Sequence, residues 1–377
     1  MNLNELPFET GALLASLRPW VECESPTFDV NAINAMMGLA ARELALSGAT
    51  VERIAGRMGF GDCVRGTFPH ERAREPGVLV LGHLDTVHPV GTLAKLPWRR
   101  DGERCYGPGI FDMKGGNVVA LEAVRMLQRL GKNSPLPITF LFTSDEEVGS
   151  PSTRDLIEAE AKRHKYVLVP EPGRPDAGVV TGRYAIARYN LEAIGRPSHA
   201  GWRLKDGRSA IRIMADMIPT IEAMTSDACT FSVGIVHGGQ WVNCVASSCA
   251  GEALSMAKRQ ADLDHGVERM LALTNGDDER GRFIVTRGVT RPVWEPNAKT
   301  MALYEKTKAL AKTLGIDLTH ESSGGGSDGN FTGNFDIATL DGLGVSGAGA
   351  HTLGEHIMVD SLAQRGKLLT GLLLELN

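Results

Sequence analysis

The sequence lacks the features that mark membrane, secreted and nucleic-acid-binding proteins. None of its apolar runs approaches the ~20 residues that span a bilayer. Residues 1–5 do not begin a charged segment followed by an apolar signal core. Basic residues form no cluster, and the formal net charge is −5. We therefore expect a cytoplasmic protein that binds neither nucleic acid nor a membrane.

Cysteine pairs with the spacing of metal or redox sites are also missing. The six cysteines include no C-x-x-C pair, so we expect reduced thiols in the core rather than a disulfide framework. The chain is otherwise 42% apolar and 23% charged, which is ordinary for a globular protein. Because 377 residues are too many for one ordinary core, two domains are expected.

Two adjacent carboxylates, Glu146 and Glu147, are the most informative feature that is present. They follow the apolar run Ile138 to Phe142 and precede Val-Gly-Ser-Pro, which favours a strand-to-loop junction over the solvated helix face where most such pairs lie. Side chains alternate along an extended segment, so neighbouring carboxylates point in opposite directions. One can then bind a metal while the other faces a water, as a metal-assisted hydrolase needs.

Other candidate ligands follow strand-like runs or lie in turns. His83 ends an apolar run, and Asp85 can accept its second ring N–H, although His-x-Asp alone is more often a buried histidine satisfied by its neighbour. The other candidates are Asp112 in a Gly-rich turn, where it could instead cap a helix, Glu171 between two prolines, and His351 in a C-terminal loop. Because ligands bind at strand ends in open α/β sheets, the set predicts one site. Imidazole and carboxylate ligands suit zinc, or cobalt or manganese in its place.

The spacing of apolar residues predicts an α/β fold in which helices sandwich a mixed sheet. Helix-period spacing alternates with strand-like runs, which lie at 76–82, 137–143, 166–169 and 336–340. Between 182 and 291 the order becomes strand–helix–strand–strand–helix–strand, which predicts an inserted ferredoxin-like α+β domain. We therefore expect one domain from residues 1–181 and 292–377, and a second from 182–291.

The order of the motifs resembles the di-zinc aminoacylase/carboxypeptidase family of metallopeptidases, and within it the bacterial glutamate carboxypeptidases. The resemblance extends from about residue 76 to the end and rests on GHLDTV, GPGIFDMKGG, TSDEEVGS, PEP, GRPSHAG and GGGSDG. It implies two Zn²⁺ ions per chain, with Co²⁺ or Mn²⁺ as possible replacements. His83 and Glu171 would bind one ion, Glu147 and His351 the other, and Asp112 would bridge them.

The resemblance also implies catalytic roles and a dimer. Glu146 would be the general base, and Asp85 would orient His83. Residues 182–291 would form a lid that pairs with a second lid in a homodimer. His199, in GRPSHAG, would extend into the partner's site to stabilise the oxyanion.

Substrate contacts follow from the same resemblance. Asn243 and Arg287 match positions that bind the substrate's free α-carboxylate, a role that suits the bidentate fork of arginine. Gly326 and Ser327 lie in a Gly-rich loop whose backbone N–H groups can meet a carboxylate; a flexible linker is the other interpretation of that loop. Met256 or a close neighbour stands where the glutamate carboxypeptidases have a further arginine, so the resemblance does not extend to recognition of a glutamate side chain.

The predicted function is hydrolysis of an amide bond that releases a C-terminal amino acid from a small N-acyl or short peptidyl substrate. Within the same class, the alternative is an aminoacylase or desuccinylase-type deacylase of small N-acyl amino acids. Outside it, the alternative is a non-catalytic protein that binds acylated amino acids in the same cleft. A binding protein has no need of Glu146, which favours the enzyme.

Overall fold

The computed structural model describes residues 2–276 and 281–377 of the chain. The chain divides into two compact units. Unit 1 comprises Met1–Gly182, Glu295–Ser323 and Ser327–Asn377, and unit 2 comprises Arg183–Trp294 with Gly324–Gly326. Among the described residues, no helix is both long and apolar enough to cross a bilayer.

The α-helices of the described residues are, in chain order, α1 (Thr10–Glu22), α2 (Val30–Leu46), α3 (Gly115–Arg129), α4 (Arg154–Ala161), α5 (Ala210–Glu222), α6 (Gln260–Leu271), α7 (Ala298–Thr313), α8 (Gly329–Gly333) and α9 (Val359–Glu375). The β-strands are β1 (Thr50–Ile54), β2 (Cys63–Thr67), β3 (Gly77–His83), β4 (Arg99–Asp101), β5 (Arg104–Tyr106), β6 (Ile138–Thr143), β7 (His164–Leu168), β8 (Val179–Arg183), β9 (Ala185–Ile194), β10 (Cys229–Gly238), β11 (Ser248–Ala257), β12 (Arg282–Arg291), β13 (His320–Ser323), β14 (Ala338–Leu340), β15 (Gly347–Ala348) and β16 (His356–Met358).

A mixed sheet with the strand order β1-β2-β6-β3-β7-β14 forms the centre of unit 1. β6, β3, β7 and β14 are parallel, whereas β1 and β2 pair antiparallel at one side. The carboxyl ends of the four parallel strands therefore meet at one edge of the sheet, where ligands bind in folds of this kind.

The continuous apolar sequence of β3 reflects burial on both faces of this sheet. Val78 and Val80 belong to the core cluster that includes α3 and α9, while Leu79 and Leu81 belong to a second cluster with Ile157 of α4. Successive side chains point to opposite faces, so helices cover both sides. The structure thus confirms the helix-sandwiched mixed sheet.

Unit 2 is a four-stranded antiparallel sheet with the order β10-β11-β9-β12 and the helices α5 and α6. Buried side chains of β9 alternate with half-buried or exposed ones, and the buried set forms a separate core cluster with both helices. The element order and strand order are those of a ferredoxin-like fold, which confirms the predicted insert.

Candidate active site

The carboxyl-terminal edge of the central sheet carries most of the predicted ligands. His83 is the last residue of β3, and Glu146 and Glu147 form a short 3₁₀ turn just after β6. Glu171 follows β7 between Pro170 and Pro172. Because these strands are parallel neighbours, their ends bring side chains from distant parts of the chain to the same place.

Asp112 lies between two imidazoles. One of its carboxylate oxygens is 3.2 Å from Nε2 of His83, and the other is 3.3 Å from Nε2 of His351. Asp112 has an extended backbone just before α3, and its side chain makes no capping hydrogen bond to that helix. The two oxygens of one carboxylate thus face two separate groups of candidate ligands.

Each imidazole also contacts a second carboxylate. His83 Nε2 is 3.7 Å from Glu171 Oε1, and His351 Nε2 is 3.1 Å from Glu147 Oε2. Potential ligand atoms of His83, Glu146 and Glu171 also lie within 4.8 Å of one another. The structure therefore brings the predicted ligands and Glu146 into one cluster with Asp112 at its centre.

The neighbouring His356 does not join this cluster. Its Nδ1 lies 2.8 Å from the carbonyl oxygen of Gly354, and its ring packs against Tyr106 with a centroid distance of 5.1 Å. His351, by contrast, adopts a left-handed backbone with φ of 64° and faces Asp112 and Glu147.

The electrostatics of the cluster favour bound positive charge. Burial, together with the nearby charge of Asp112, raises the pKa of Glu171 well above its usual value. Hydrogen bonds to Asp112 and Glu147 raise the pKa of His351 to about 10. Burial opposes protonation of His83, but the hydrogen bond to Asp112 and the nearby carboxylates of Asp85 and Glu171 outweigh it and raise the pKa. One buried carboxyl group and two imidazoles thus favour their protonated forms, which marks the cluster as a suitable environment for cations.

The donor set fits two divalent metals. Asp112, Glu146, Glu147 and Glu171 carry four formal negative charges, and the two imidazoles are neutral when they act as ligands. Two divalent ions would bring four positive charges. Nitrogen and oxygen donors without thiolate suit zinc in an open catalytic site.

Asp85 contacts His83 most closely through its main-chain carbonyl, and not through the carboxylate that the sequence predicted. We expected its carboxylate to accept the ring N–H of His83, but Nδ1 lies 3.0 Å from the Asp85 main-chain carbonyl and 3.4 Å from its carboxylate. A carbonyl oxygen can only accept, so Nδ1 carries the proton and Nε2 is left to bind a metal. The carboxylate instead accepts the backbone N–H groups of Glu146 and Glu147, each at 3.2 Å, and the Thr27 hydroxyl at 2.8 Å. Asp85 thus joins the His83 strand end to the carboxylate turn.

Glu355 is a site residue that the sequence analysis did not identify. Its buried carboxylate accepts the backbone N–H groups of Gly109, Phe111 and Asp112 at 2.9, 2.9 and 3.0 Å. It also lies 2.7 Å from Nε2 of His88. Glu355 therefore fixes the loop that presents Asp112. A signal for it existed, because an acidic residue lies four positions after His351 in the same loop.

His199 and Asn243 come together in unit 2. The Ala200 N–H donates to the Asn243 carbonyl at 3.0 Å, next to a bridge between His199 and Cys244. His199 is exposed, and its ring stacks on Trp202 with a centroid distance of 4.6 Å. Its Nδ1 accepts the Gly201 N–H at 3.1 Å, so the neutral ring carries its proton on Nε2. That N–H can donate to a developing negative charge.

The remaining predicted substrate residues have different surroundings. Arg287 is exposed on β12, where its Nε donates to the Thr290 hydroxyl at 2.9 Å. Gly326 groups with unit 2, and a Cβ there would lie only 2.7 Å from the side chain of Ile186. Ser327 groups with unit 1 and is fully buried. Its N–H donates to the Asn330 side chain at 3.0 Å and its hydroxyl to Asp341 at 2.6 Å. Both of its donors are used within the protein, so we assign Ser327 no substrate contact.

Imidazoles and carboxylates at the edge of a helix-sandwiched sheet, with an inserted ferredoxin-like unit, define a class of metal-dependent hydrolases. The chain belongs to peptidase family M20/M25/M40, whose profile matches residues 79–375. It is 30% identical to carboxypeptidase G2 of Pseudomonas sp. (strain RS-16), with 98% of this chain and 90% of that protein covered. It is 25% identical to succinyl-diaminopimelate desuccinylase of Dechloromonas aromatica, with 76% and 80% covered.

A solved structure shares the fold over almost its full length. A tripeptidase from Staphylococcus aureus superposes with a TM-score of 0.77 at 22% identity, covering 97% of this chain and 98% of that one. Membership of the family identifies the chain as a zinc-dependent hydrolase.

Proposed function

We propose that the protein is a di-zinc amidohydrolase that releases a C-terminal amino acid from a small N-acyl or peptidyl substrate. The observation that carries the proposal is the position of Asp112, whose two carboxylate oxygens face His83 and His351 separately. A shared carboxylate between two groups of ligands is what a pair of metal ions requires. Two zinc ions supply the Lewis acidity that polarises a carbonyl and acidifies water.

Glu146 has the position of the general base. It is buried beside the cluster, and Asp85 holds its backbone N–H. It adjoins Glu147, whose carboxylate faces His351. Glu146 takes a proton from the attacking water and passes it to the leaving amine, so one carboxylate serves both proton transfers.

Unit 2 supplies the groups that we assign to substrate. The Nε2–H of His199 stabilises the oxyanion, and Arg287 and Asn243 bind the free α-carboxylate. The backbone N–H of Gly326 can supplement them. The exposed position of Arg287 on β12 is compatible with this role.

We propose that His199 acts in the partner's site of a homodimer formed through unit 2. β10 lies at the edge of the unit 2 sheet and exposes the apolar residues Ile235 and Val236. An edge strand with exposed apolar side chains is a surface that proteins usually cover. Free thiols at all six cysteines are compatible with the predicted cytoplasmic location.

A hydrolysis screen over N-acyl and peptidyl amino acids, with each released product identified by mass, tests this proposal. We expect zinc-loaded protein to release free amino acids from substrates with a free α-carboxylate and to act poorly on their amidated counterparts. Equal cleavage of both would remove the carboxypeptidase assignment. Cleavage confined to N-succinyl or N-acetyl amino acids would favour the deacylase, which the similarity to a desuccinylase keeps open. Binding without hydrolysis would favour the non-catalytic alternative.

A further inference from the structure

A groove of about 620 Å³ opens beside Glu147 in unit 1. Residues 26–30 line it, together with Thr86, Val87, Pro89, Val90, Glu147 and Val148. A parallel bridge between Pro26 and Thr86 joins the segments on which they lie, and the Thr27 N–H donates to the Thr86 carbonyl at 3.3 Å. The groove is therefore built on the same strand end that carries His83 and Asp85.

The groove exposes an unusual concentration of large apolar side chains. Phe28 is 76% exposed, Val90 59%, Val87 42% and Val30 36%. The Phe28 ring packs against Phe60 at a centroid distance of 6.0 Å, which restricts its orientation. Apolar residues that are exposed without a function are usually scattered singly over a protein surface. Several of them in one concave surface beside the candidate active site therefore indicate a ligand site.

The charges of the groove disfavour an anionic ligand group. Its charged side chains are Asp29 and Glu147, and none of the described residues that line it is basic. A bound metal would balance the charge of the candidate ligand Glu147, so Asp29 is the charge that a ligand in the groove would meet. The Asp29 carboxylate accepts the N–H groups of Asn31 and Ala32 at the start of α2, so it remains as a fixed negative charge. A substrate carboxylate would meet repulsion and lack a counter-ion.

We propose that this groove is the acyl subsite and that it selects substrates with a large, uncharged apolar acyl group, aromatic or long-chain aliphatic. The inference rests on the proposed function, in which the α-carboxylate belongs to the leaving amino acid. The group on the other side of the scissile carbonyl must then occupy a surface without cations. Glu147 belongs to both the ligand cluster and the groove wall, so a carbonyl held at the cluster places its acyl group at the groove.

The volume of the groove favours large acyl groups over small ones. Ligand sites of ~300–1,000 Å³ hold molecules larger than an acetyl group. A succinyl group is small and ends in a carboxylate, which the groove disfavours by charge. The preferred acyl group is thus neither acetyl nor succinyl.

The test compares kcat/KM for N-octanoyl, N-benzoyl, N-acetyl and N-succinyl derivatives of one amino acid, using zinc-loaded wild type and three variants. Wild type should prefer octanoyl and benzoyl over acetyl and succinyl by at least about 10-fold. Phe28→Ala should lower kcat/KM for the two large groups by about 5- to 10-fold and leave acetyl nearly unchanged. Val90→Lys should lower kcat/KM for octanoyl and raise it for succinyl by about 2- to 5-fold, because the new cation faces the succinyl carboxylate. Leu46→Lys, at an exposed apolar position outside the groove, should change none of these ratios.

A binding measurement makes the test independent of turnover. Calorimetry with Glu146→Gln protein and the N-octanoyl amino acid should show a Kd that Phe28→Ala raises by a similar factor. Hydrolysis with no preference among the four acyl groups, or variants that change all four alike, would overturn the subsite alone. No hydrolysis of any N-acyl or peptidyl amino acid by zinc-loaded wild type would overturn the proposed function and the subsite with it.

Discussion

At the scale of single residues, the candidate site contains two adjacent carboxylates that contact different partners. Glu146 and Glu147 are adjacent, yet the Glu147 carboxylate lies 3.1 Å from His351 Nε2, while Glu146 belongs to the group with His83 and Glu171. Asp85 holds both backbone N–H groups of this pair. The turn is therefore fixed by the residue that also orients His83.

Replacement of Glu146 by glutamine separates catalysis from metal binding. Glu146→Gln removes the proton acceptor but leaves Glu147 in place, so zinc content should persist while kcat falls by about 10²–10⁴-fold or more. Metal analysis and kinetics on the same preparation measure both quantities. The matched Glu147→Gln should lose zinc as well as activity. If Glu146→Gln loses zinc too, the two carboxylates have been assigned the wrong way round.

Glu355 gives a second prediction at this scale. In Glu355→Gln, an amide NH₂ replaces one acceptor oxygen and faces backbone donors of the Gly109–Asp112 loop. We expect a loss of about 1–3 kcal/mol in the free energy of unfolding and about 10–100-fold weaker zinc binding, as when other residues that support ligands are replaced. Chemical denaturation and zinc competition assays measure these effects. Exposed Glu375→Gln in α9 is the control, and equal behaviour of the two variants would show that Glu355 does not hold Asp112 in place.

At the scale of elements, the start of α3 must approach the end of β7 closely. A Cβ on Gly116 would lie 1.9 Å from the carbonyl oxygen of Pro170, the residue before Glu171. Asp112 lies just before α3 and Glu171 lies just after β7, so both belong to the segments that meet here. The glycine therefore sets the spacing between two candidate ligands.

Gly116→Ala should destabilise the protein although alanine is the better helix former. The clash should cost more than the ~1 kcal/mol that alanine gains in a helix, since overpacking typically costs about 1–3 kcal/mol, and zinc affinity should fall with it. Gly38→Ala in α2 is the matched control, because its nearest contact is 3.8 Å away and it should stabilise the protein. Urea unfolding of both variants measures the difference. Similar stabilisation by both would show that α3 can move away from Pro170 at no cost.

The sequence predicts helices and strands well where a local pattern of apolar residues determines them. The continuous apolar run in β3 and the apolar run before Glu146 predicted strands that are buried in the structure, and the polar residues after them are candidate ligands that lie in the cluster. The contact of Glu355 with the Asp112 N–H joins residues 243 positions apart, and no local pattern encodes such a pairing. The carbonyl contact of Asp85 was missed for a related reason, because sequence shows side chains but not which backbone groups face them.

At the scale of the whole molecule, the proposed role of His199 in the partner's site requires two chains for each complete site. His199 and Asn243 belong to unit 2, whereas the ligand cluster belongs to unit 1. If His199 acts across a dimer, mixing Glu146→Gln chains with His199→Ala chains should restore some activity. Each mixed dimer would contain one site with an intact base and an intact histidine. Differently tagged chains verify subunit exchange, and exchange without recovered activity would place His199 in its own chain's site or outside catalysis.

A zinc titration of metal-free protein, followed by hydrolysis of the best substrate from the screen, tests whether the site binds two metal ions and needs both for activity. A two-metal site predicts no activity without metal, a rise as zinc is added, and a plateau at about two equivalents per chain, because Asp112 faces two groups of ligands. Full activity in metal-free protein, or a plateau at a single equivalent, would contradict it.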